Sequence, residues 1–483
     1  MEESLLSRWL LRVVALLERY LPDAFLFALI ATVLVFGAGL ASTGGAVRPV
    51  ADAWGRGFFS LLSFTLQMAM VIIVGHVVAS APLVSRLLWR LGGVPQSPRA
   101  AVAWVTLLAL VSSWLNWGFS LIFSALLART VARRFAERQQ PVDYRALAAA
   151  SFLGLGSIWA QGLSGSAALQ MATPGAVSSS LAPIVDCGKA ICSDGALVAG
   201  SPSGLIPLSH TIFLWQSLVS VLVEIVIVTA LMWWAAPGAA RAVPAAQLGI
   251  ALTEPAPAVE SGPARPGERL EHMPWLNALI CLLGGGYLVS YFAATPGGRL
   301  LEAINLNTVI LGLLLVGTAL HRTPARLQRA FASATPAVWG VILQFPFYGG
   351  IAEVLKATHL NERIAGLFVG VASRATLPPL IALYSAVLGI FVPSGGSKWV
   401  IEAPYVLMAA HRLHVHLGWM VAVYDLGEAL ANLVQPFWML PVLGLLGLTA
   451  RQVMAYTFLV FVVLLPLVLF LTWALGLTLA YPL

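Results

Sequence analysis

The sequence is dominated by apolar runs that are long enough to cross a lipid bilayer. A transmembrane helix needs about 20 predominantly apolar residues. Runs of this kind occur at residues 24–41, 58–80, 146–180, 205–235, 274–294, 303–320, 333–355, 417–447 and 452–480. Only 10% of the residues are charged and 59% are hydrophobic, whereas a soluble domain carries about 25% charged residues. The sequence therefore predicts an all-α polytopic membrane protein with about nine transmembrane helices.

The same composition argues against several functional classes. The net charge of +7 comes from Lys and Arg between the apolar runs, which indicates cytoplasmic loops rather than a nucleic-acid-binding surface. Three cysteines are too few for a disulfide framework or a zinc ribbon. The chain has no H-E-x-x-H, G-x-S-x-G, Walker or dinucleotide-binding motif. We therefore predict that the protein is not an enzyme and has no cofactor.

Two further apolar stretches are interrupted by small and polar residues. The interruptions are Asn116-Trp117-Gly118 within residues 101–128, and Pro393 to Lys398 within about 378–411. Arginines flank the first stretch on both sides, so both of its ends are expected in the cytoplasm. Its arms look too short for two crossings, and irregular backbone at membrane depth must be buried in protein or line a wet cavity. We predict two re-entrant hairpins, an inner one and an outer one.

The chain reads as two similar halves that enter the membrane from opposite sides. Residues 21–236 and 303–483 each contain two spans, a hairpin and two more spans, and a single connecting helix lies in residues 274–302. Inverted repeats of this kind are typical of secondary transporters. Residues 1–20 are predicted to form an interfacial amphipathic helix with a cytoplasmic N-terminus, and residues 237–273 a flexible cytoplasmic linker rich in Pro, Ala and Gly.

Two of the cysteines fall in a polar loop that this topology places outside the membrane. Cys187 and Cys192 would therefore meet an oxidising compartment, where they could form a disulfide. Two unpaired thiols fit the sequence equally well. The sequence leaves both readings open.

Polar residues at four helix breaks form the candidate substrate site. Helix N-termini at a break suit an anion, while C-termini and free carbonyl groups suit a cation such as Na⁺. The predicted substrate-binding residues are Asn116, Gly118, Ser164, Ser166, Thr173, Ser394, Gly395, Gly396, Ser397, Lys398, Asn432 and Gln435. For Ser164 and Ser166, helix packing through small residues is the alternative. Lys398 either meets a substrate carboxylate or extends to the outer surface.

Acidic residues inside apolar spans are costly and usually functional. Asp425 and Glu428 are three residues apart, so they share a helix face just before Asn432. With Asn116 and Asn432, they are the predicted ion-coupling residues, for protons or for Na⁺ bound near the hairpin tips by ligands not yet assigned. Glu224 lies in the middle of a span without an assigned partner. Most of the 16 tryptophans are interpreted as interface anchors.

Several segments together resemble the short-chain fatty acid transporter family, of which the acetoacetate/butyrate permease is the best-known type. They include LNWGFSLIFSALLARTVARR, LSGSAALQMATPG, FVPSGGSKWVIEAPYV and ANLVQPFWMLPVLGLLG, and the resemblance covers nearly the whole chain. It implies uptake of small monocarboxylates across the bacterial inner membrane. Through the wider ion-transporter superfamily it also implies two opposed hairpins, a homodimer and an elevator motion.

Other functions remain as alternatives at this point. The nearest one is a transporter of another anion, such as a dicarboxylate or an acyl-amino acid. An anion channel would show flux that neither saturates nor depends on a coupled gradient. A membrane-embedded enzyme would need a catalytic pair, for which Asp425 and Glu428 are the available candidates.

Overall fold

The computed structural model describes residues 24–173, 205–252, 265–295, 303–391, 395–435 and 437–483. Regular structure in this part of the chain is helical throughout, which confirms the all-α prediction. The helices of the first half are α1 (Ala24–Ser42), α2 (Val47–Phe58), α3 (Leu62–Ala79), α4 (Pro82–Leu91), α5 (Pro98–Leu115), α6 (Trp117–Glu137), α7 (Tyr144–Leu153), α8 (Ser166–Ala172) and α9 (Trp215–Ala235). Then come α10 (Pro266–Glu271), α11 (Pro274–Ala293), α12 (Leu306–His321), α13 (Pro324–Ala334), α14 (Trp339–Ala357), α15 (Leu360–Val371), α16 (Leu377–Phe391), α17 (Gly395–Arg412), α18 (Leu417–Ala431), α19 (Leu440–Leu446) and α20 (Ala450–Gly476).

Six helical stretches in the described residues are long and apolar enough to cross a membrane. They are α3, α5, the stretch Tyr144–Ala172, α9, α11 and α20. A seventh is formed if α13 and α14, which meet at 58°, count as one bent span. The protein is therefore a polytopic membrane protein, and the number of nine spans stays a prediction. The shorter apolar helices include α12 and most of α1 and α16, which fall below the length for a straight crossing.

The first interruption is a sharp turn between α5 and α6. Asn116 has an extended backbone, and its side-chain Oδ1 accepts a hydrogen bond from the N–H of Phe119 at 2.7 Å, which caps α6. Ser120 donates to the carbonyl oxygen of Ala109 at 2.8 Å, so α6 folds back on α5. The two arms have 18 and 21 residues, which is longer than the sequence suggested. Arm length alone therefore does not separate a hairpin from two crossings.

The helical stretch that begins with α7 is also broken, and so is the one that begins with α18 in the second half. After α7 the chain forms a π-helical turn over Gly154–Ile158 and a 3₁₀ turn over Trp159–Gln161 before α8 begins. After α18 it turns at Asn432, and a 3₁₀ turn at Phe437–Met439 leads into α19. A Cβ atom on Gly156 would lie 2.3 Å from the side chain of Leu433, so the two breaks pack directly against each other.

Part of the predicted flexible linker is packed on the protein. Residues 237–252 contain two 3₁₀ turns, and Ala245 within them is buried. The N–H of Val243 donates to Asp143, and Arg129 donates to the carbonyl oxygen of Ala251 at 2.9 Å. These contacts hold the start of the linker against α6 and α7. Residues 253–264, the predicted N-terminal amphipathic helix, and Cys187 with Cys192 lie outside the described residues.

Candidate functional site

A cavity lies where the two broken helices meet, and its space free of protein atoms, including its open mouth, is about 420 Å³. Its polar lining comes from the breaks and from α18, and its apolar lining comes from α3, from α14 and from residues at the breaks. The lining residues are Met68, Ile72, Trp117, Leu155, Trp159, Ser166, Val341, Phe345, Gly395, Gly396, Glu428, Asn432 and Trp438. Four of the predicted substrate-binding residues, Ser166, Gly395, Gly396 and Asn432, are among them, as is the predicted coupling residue Glu428.

The turn at Asn116 and the break before α8 are joined to each other. The hydroxyl oxygen of Ser164 accepts a hydrogen bond from the N–H of Trp117 at 2.9 Å. Asn116 is 1% exposed, and its side-chain NH₂ has no hydrogen-bond partner among the described residues. Gly118 packs on α3, where an added Cβ atom would lie 3.3 Å from the carbonyl oxygen of Val71. Asn116, Gly118 and Ser164 therefore form one group next to Trp117 in the cavity wall.

The start of α17 meets α8 and α18 at the same place. The side chain of Gln170 donates to the carbonyl oxygen of Gly396 at 2.9 Å. A Cβ atom on Gly395 would lie 3.0 Å from Asp425 Oδ1, and one on Gly396 would lie 3.3 Å from Ser166. Only glycine allows the backbone this approach without displacing those side chains. The predicted tip of the outer hairpin thus lies against the break of the first half.

Asn432 connects the two breaks through hydrogen bonds. Its side-chain NH₂ donates to the carbonyl oxygen of Leu155 at 3.2 Å, and its Oδ1 accepts from Gln435 at 2.9 Å. The π turn leaves the carbonyl group of Leu155 available for this contact, since π-helical turns change the regular backbone hydrogen bonding. Asn432 and Gln435 are both buried, so this pair fixes the shape of the break after α18.

Lys398 does not extend to the outer surface but forms a buried ion pair with Glu428. Both side chains are 1% exposed. The ammonium group also donates to the carbonyl oxygen of Ser385 at 3.2 Å and lies 5.6 Å from the ring centre of Tyr424. Burial of a charge is tolerated when it is paired and hydrogen-bonded. This arrangement places a fixed positive charge next to the cavity wall.

Two more carboxyl groups lie beside this ion pair. Asp425 Oδ2 accepts a hydrogen bond from the N–H of Ala167 at 2.9 Å, while its Oδ1 has no hydrogen-bond partner among the described residues. Glu402 is buried among the hydroxyl groups of Tyr384, Tyr405 and Tyr424. Three carboxyl groups therefore surround one lysine. Removing any one of these groups changes the net charge of a buried cluster, which has a strong effect on stability.

One predicted site residue, Thr173, lies away from the cavity, and for two others the structure gives no side-chain position. Thr173 lies at the end of α8, where its hydroxyl donates to Leu169 and accepts from the N–H of Leu306 at 3.1 Å. Thr173 therefore lies at the end of α8 and joins it to the first residue of α12. Ser394 lies outside the described residues, and of Ser397 the structure describes only the backbone, in α17. Their predicted roles stay predictions.

Tryptophans at the cavity are what the sequence reasoning missed. Trp117, Trp159 and Trp438 line it, so these three are not among the tryptophans that act as interface anchors. Trp159 is 5% exposed, and its indole N–H has no hydrogen-bond partner among the described residues. No local motif marks these positions. Trp117 lies at a predicted helix break, and Trp159 lies at a break that the structure shows.

An alignment of the two halves on one polar residue in each would identify part of the apolar wall. If Gln67 of α3 is matched with Gln344 of α14, Met68 is matched with Phe345, and both of these line the cavity. The rings of Phe64 and Phe345 stack with centres 5.7 Å apart, which joins α3 to α14 beside the cavity. Met68 itself carries no signal in the sequence, because a methionine in an apolar run usually serves packing.

Glu224, which had no assigned partner, is bound to the first broken helix. Its Oε1 accepts hydrogen bonds from Gln161 at 2.7 Å and from Ser220 at 2.9 Å. Glu224 is fully buried, and Gln161 is the last residue of the 3₁₀ turn that leads to α8. This carboxyl group therefore holds the end of the 3₁₀ turn and does not line the cavity.

Comparisons with known proteins agree with this architecture. The family model described as "Short chain fatty acid transporter" matches residues 5–476. A provisionally named short-chain fatty acid transporter of Escherichia coli K12 is 34% identical over 456 residues, which cover 93% of this chain and 95% of that protein. One of Haemophilus influenzae with the same provisional name is 30% identical over 442 residues, with 91% and 93% covered.

Solved structures show the same fold at much lower sequence identity. The YdaH transporter of Alcanivorax borkumensis superposes with a TM-score of 0.55 at 16% identity, covering 94% of this chain and 97% of that one. MtrF of Neisseria gonorrhoeae, described in a class of antimetabolite efflux pumps, gives a TM-score of 0.58 at 15% identity, with 98% and 99% covered. The family match over nearly the whole chain identifies this protein as a transporter rather than an enzyme: it belongs to the short-chain fatty acid transporter family.

Proposed function

We propose that the protein is a secondary active transporter of short-chain monocarboxylates such as butyrate or acetoacetate, and that the cavity between the two helix breaks is its substrate site. The observation that carries this is the composition of the cavity wall. One end holds the hairpin backbone at Gly395 and Gly396 beside the Lys398 ion pair, and the remainder is largely apolar. Such a site matches a molecule with one carboxylate and a short alkyl chain.

The broken stretches are proposed to act as re-entrant hairpins. The turn at Asn116 is buried against α3, whereas a loop between two crossings would lie at the membrane surface. The two ends of the first hairpin lie together, since Arg138 at the end of α6 donates to the carbonyl oxygens of Gly93 and Pro95, just before α5 begins. The end of α6 also contacts α4, where the guanidinium of Arg134 is 3.5 Å from the ring centre of Trp89. A buried tip with both ends together is the arrangement that irregular backbone in a membrane requires.

The transport cycle is proposed to be alternating access by an elevator motion in a homodimer of the bacterial inner membrane, with an inward gradient of sodium or protons as the energy source. The matching helix breaks of the two halves support alternating access, since inverted repeats can exchange conformations. Asp425, Glu428, Asn116 and Asn432 are the proposed coupling residues, and Asp425 Oδ1 is the best-placed free oxygen for a sodium ion.

Uptake of labelled butyrate or acetoacetate into proteoliposomes tests the proposed function. Initial rates are compared in an imposed proton gradient, an imposed sodium gradient and no gradient. Protein-free liposomes of the same lipid correct for diffusion of the neutral acid. We expect saturable uptake that one of the gradients accelerates. The absence of gradient-dependent uptake for every monocarboxylate tested would overturn the proposal, and non-saturable flux would indicate a channel.

Val341 is predicted to set the accepted chain length, because it contributes an apolar side chain from α14 to the cavity wall. Val341→Phe should lower butyrate uptake relative to acetate uptake by about tenfold, the equivalent of two methylene groups at about 0.8 kcal/mol each. Val341→Ala should shift the preference toward longer acids. Ile342→Phe is the matched control, since Ile342 is the next residue of α14 and is 54% exposed. Equal effects of the two Phe variants would contradict the assignment.

A dicarboxylate or an acyl-amino acid is the nearest alternative substrate. The described cavity wall has one ammonium group beside it, which suits one carboxylate. A thermal-shift measurement across a panel of carboxylates distinguishes these substrates, because a ligand of the native state raises the melting temperature. We expect monocarboxylates of two to about five carbons to stabilise the protein, in line with the small cavity. Stabilisation by dicarboxylates alone would reassign the substrate.

A further inference from the structure

The ammonium group of Lys398 is already occupied. Glu428 is its ion-pair partner, the carbonyl oxygen of Ser385 accepts one hydrogen bond, and the ring of Tyr424 lies on a further side. A substrate carboxylate entering the cavity therefore does not find a free cation. To bind the ammonium group, it must replace the carboxylate of Glu428.

The surrounding charges make this replacement costly unless a proton enters as well. Glu402, Asp425 and Glu428 already outnumber the one lysine, and all of them are buried. A substrate anion would add another carboxylate beside that one lysine, in a site shielded from water. Burying an unpaired charge costs several kcal/mol, whereas a protonated carboxyl group needs only hydrogen bonds. One proton for each substrate anion removes that cost.

We propose that the substrate carboxylate replaces Glu428 as the partner of Lys398, and that Glu428 carries the coupling proton. This inference rests on the proposed function. When the substrate binds, its carboxylate pairs with the ammonium group and the carboxylate of Glu428 takes up one proton. When the substrate leaves on the other side, Glu428 releases that proton and pairs with Lys398 again. The loaded and empty sites carry the same net charge, so one proton accompanies each monocarboxylate and no net charge crosses the membrane.

The position of Glu428 makes it better suited to carry the coupling proton than its two acidic neighbours. Of the three carboxyl groups, Glu428 lines the cavity and contacts the lysine directly. Asp425 is held by the backbone N–H of Ala167, and Glu402 lies among tyrosine hydroxyl groups. A Cβ atom on Gly389 would lie 2.5 Å from Glu428 Oε2, so α16 packs closely against this carboxylate.

Each helix packed on Glu428 contributes titratable neighbours that any pH dependence must include. The groups are Lys398 and Glu402 from α17, Tyr424 and Asp425 from α18, and Tyr348 from α14, with Tyr384 of α16 and Tyr405 of α17 next to Glu402. The tyrosines can donate hydrogen bonds but are neutral near neutral pH. The exchange of charge therefore lies between the lysine and the carboxyl groups.

Glu428→Gln tests the proposal, because glutamine resembles the protonated side chain of the loaded site. In proteoliposomes, proton-driven net uptake of labelled butyrate should fall at least about tenfold, since the glutamine side chain cannot release a proton after the substrate leaves. Exchange of labelled for unlabelled butyrate needs only the loaded site, so it should persist. Glu224→Gln is the matched control: its carboxyl group is equally buried but bonded to Gln161, and its net uptake should keep the proton dependence.

The outcomes separate the inference from the proposed function. Wild-type uptake that is driven by sodium alone, or that responds to membrane potential at constant pH gradient, would overturn the proton exchange at Glu428 while leaving a monocarboxylate transporter. Proton-driven net uptake retained in Glu428→Gln would do the same. If the wild-type protein neither takes up nor exchanges any monocarboxylate, the proposed function itself fails.

Discussion

Replacing Lys398 by methionine should destabilise the protein more than replacing Lys398 and Glu428 together. Lys398→Met keeps the volume of the side chain but leaves three buried carboxyl groups without a counter-charge. Loss of one partner of a buried ion pair typically costs about 3–5 kcal/mol, whereas loss of both partners costs much less. The double variant Lys398→Met/Glu428→Gln should therefore recover most of the lost stability. Unfolding in detergent micelles, followed at one pH for all variants, measures this difference.

The pH dependence of the single variant provides an internal check. Protonated carboxyl groups need no counter-charge, so the penalty of Lys398→Met should shrink as the pH is lowered. If Lys398 instead extended to the outer surface, the stability of both variants should change very little, since exposed ion pairs contribute about 0–1 kcal/mol. A single variant as stable as the double variant at every pH would contradict the buried ion pair.

Gly75→Ala should displace the turn at Asn116 and largely abolish transport. Gly75 lies in α3, and a Cβ atom there would lie 2.5 Å from the backbone nitrogen of Phe119 and 2.7 Å from Asn116 Oδ1. No relaxed contact is that short, so the turn must move and the cap on α6 must lengthen. Overpacking of this kind costs about 1–3 kcal/mol. We expect butyrate uptake to fall by more than about tenfold at an unchanged amount of protein in the membrane.

Gly312→Ala provides the matched control for this substitution. Gly312 lies in the middle of the apolar helix α12, and an added Cβ atom there meets no atom within 4 Å. Alanine also favours helix over glycine by about 1 kcal/mol, so this variant should be neutral or slightly more stable. Equal transport by the Gly75 and Gly312 variants would show that the turn does not rest on α3 as described.

The fold could be predicted from the sequence because membrane spans depend on composition and on regular length. The apolar runs predict the helices, and the small polar residues predict the break at Asn116. The position of Lys398 could not be predicted in this way. Lys398 follows two glycines and precedes an apolar arm, a context that fits an exposed or a buried side chain. Only the packing of α16 and α18 around it decides between these positions.

Apart from Glu428, which stands out as an acidic residue in an apolar span, residues of the cavity wall can be recognised in the sequence only where they interrupt a helix. Ser166, Gly395 and Asn432 break the helical pattern, so their sequence context already marks them. Trp159 and Val341 do not, because an aromatic or aliphatic residue in an apolar run fits equally well against lipid, against another helix or against a substrate. Their role depends on which face of the helix meets the other half of the molecule, and helical periodicity alone does not give that contact.

Protection of a cysteine at Ser166 tests most directly whether the substrate binds between the two helix breaks. In a variant whose Cys187, Cys192 and Cys281 are replaced by serine, Ser166→Cys is labelled with a small methanethiosulfonate reagent, and Ser333→Cys on α13 provides the control. We predict that butyrate slows labelling at Ser166→Cys in the same concentration range that saturates its uptake, and leaves labelling at Ser333→Cys unchanged. Labelling at Ser166→Cys that is insensitive to butyrate, in a variant that still transports it, would contradict the proposed site.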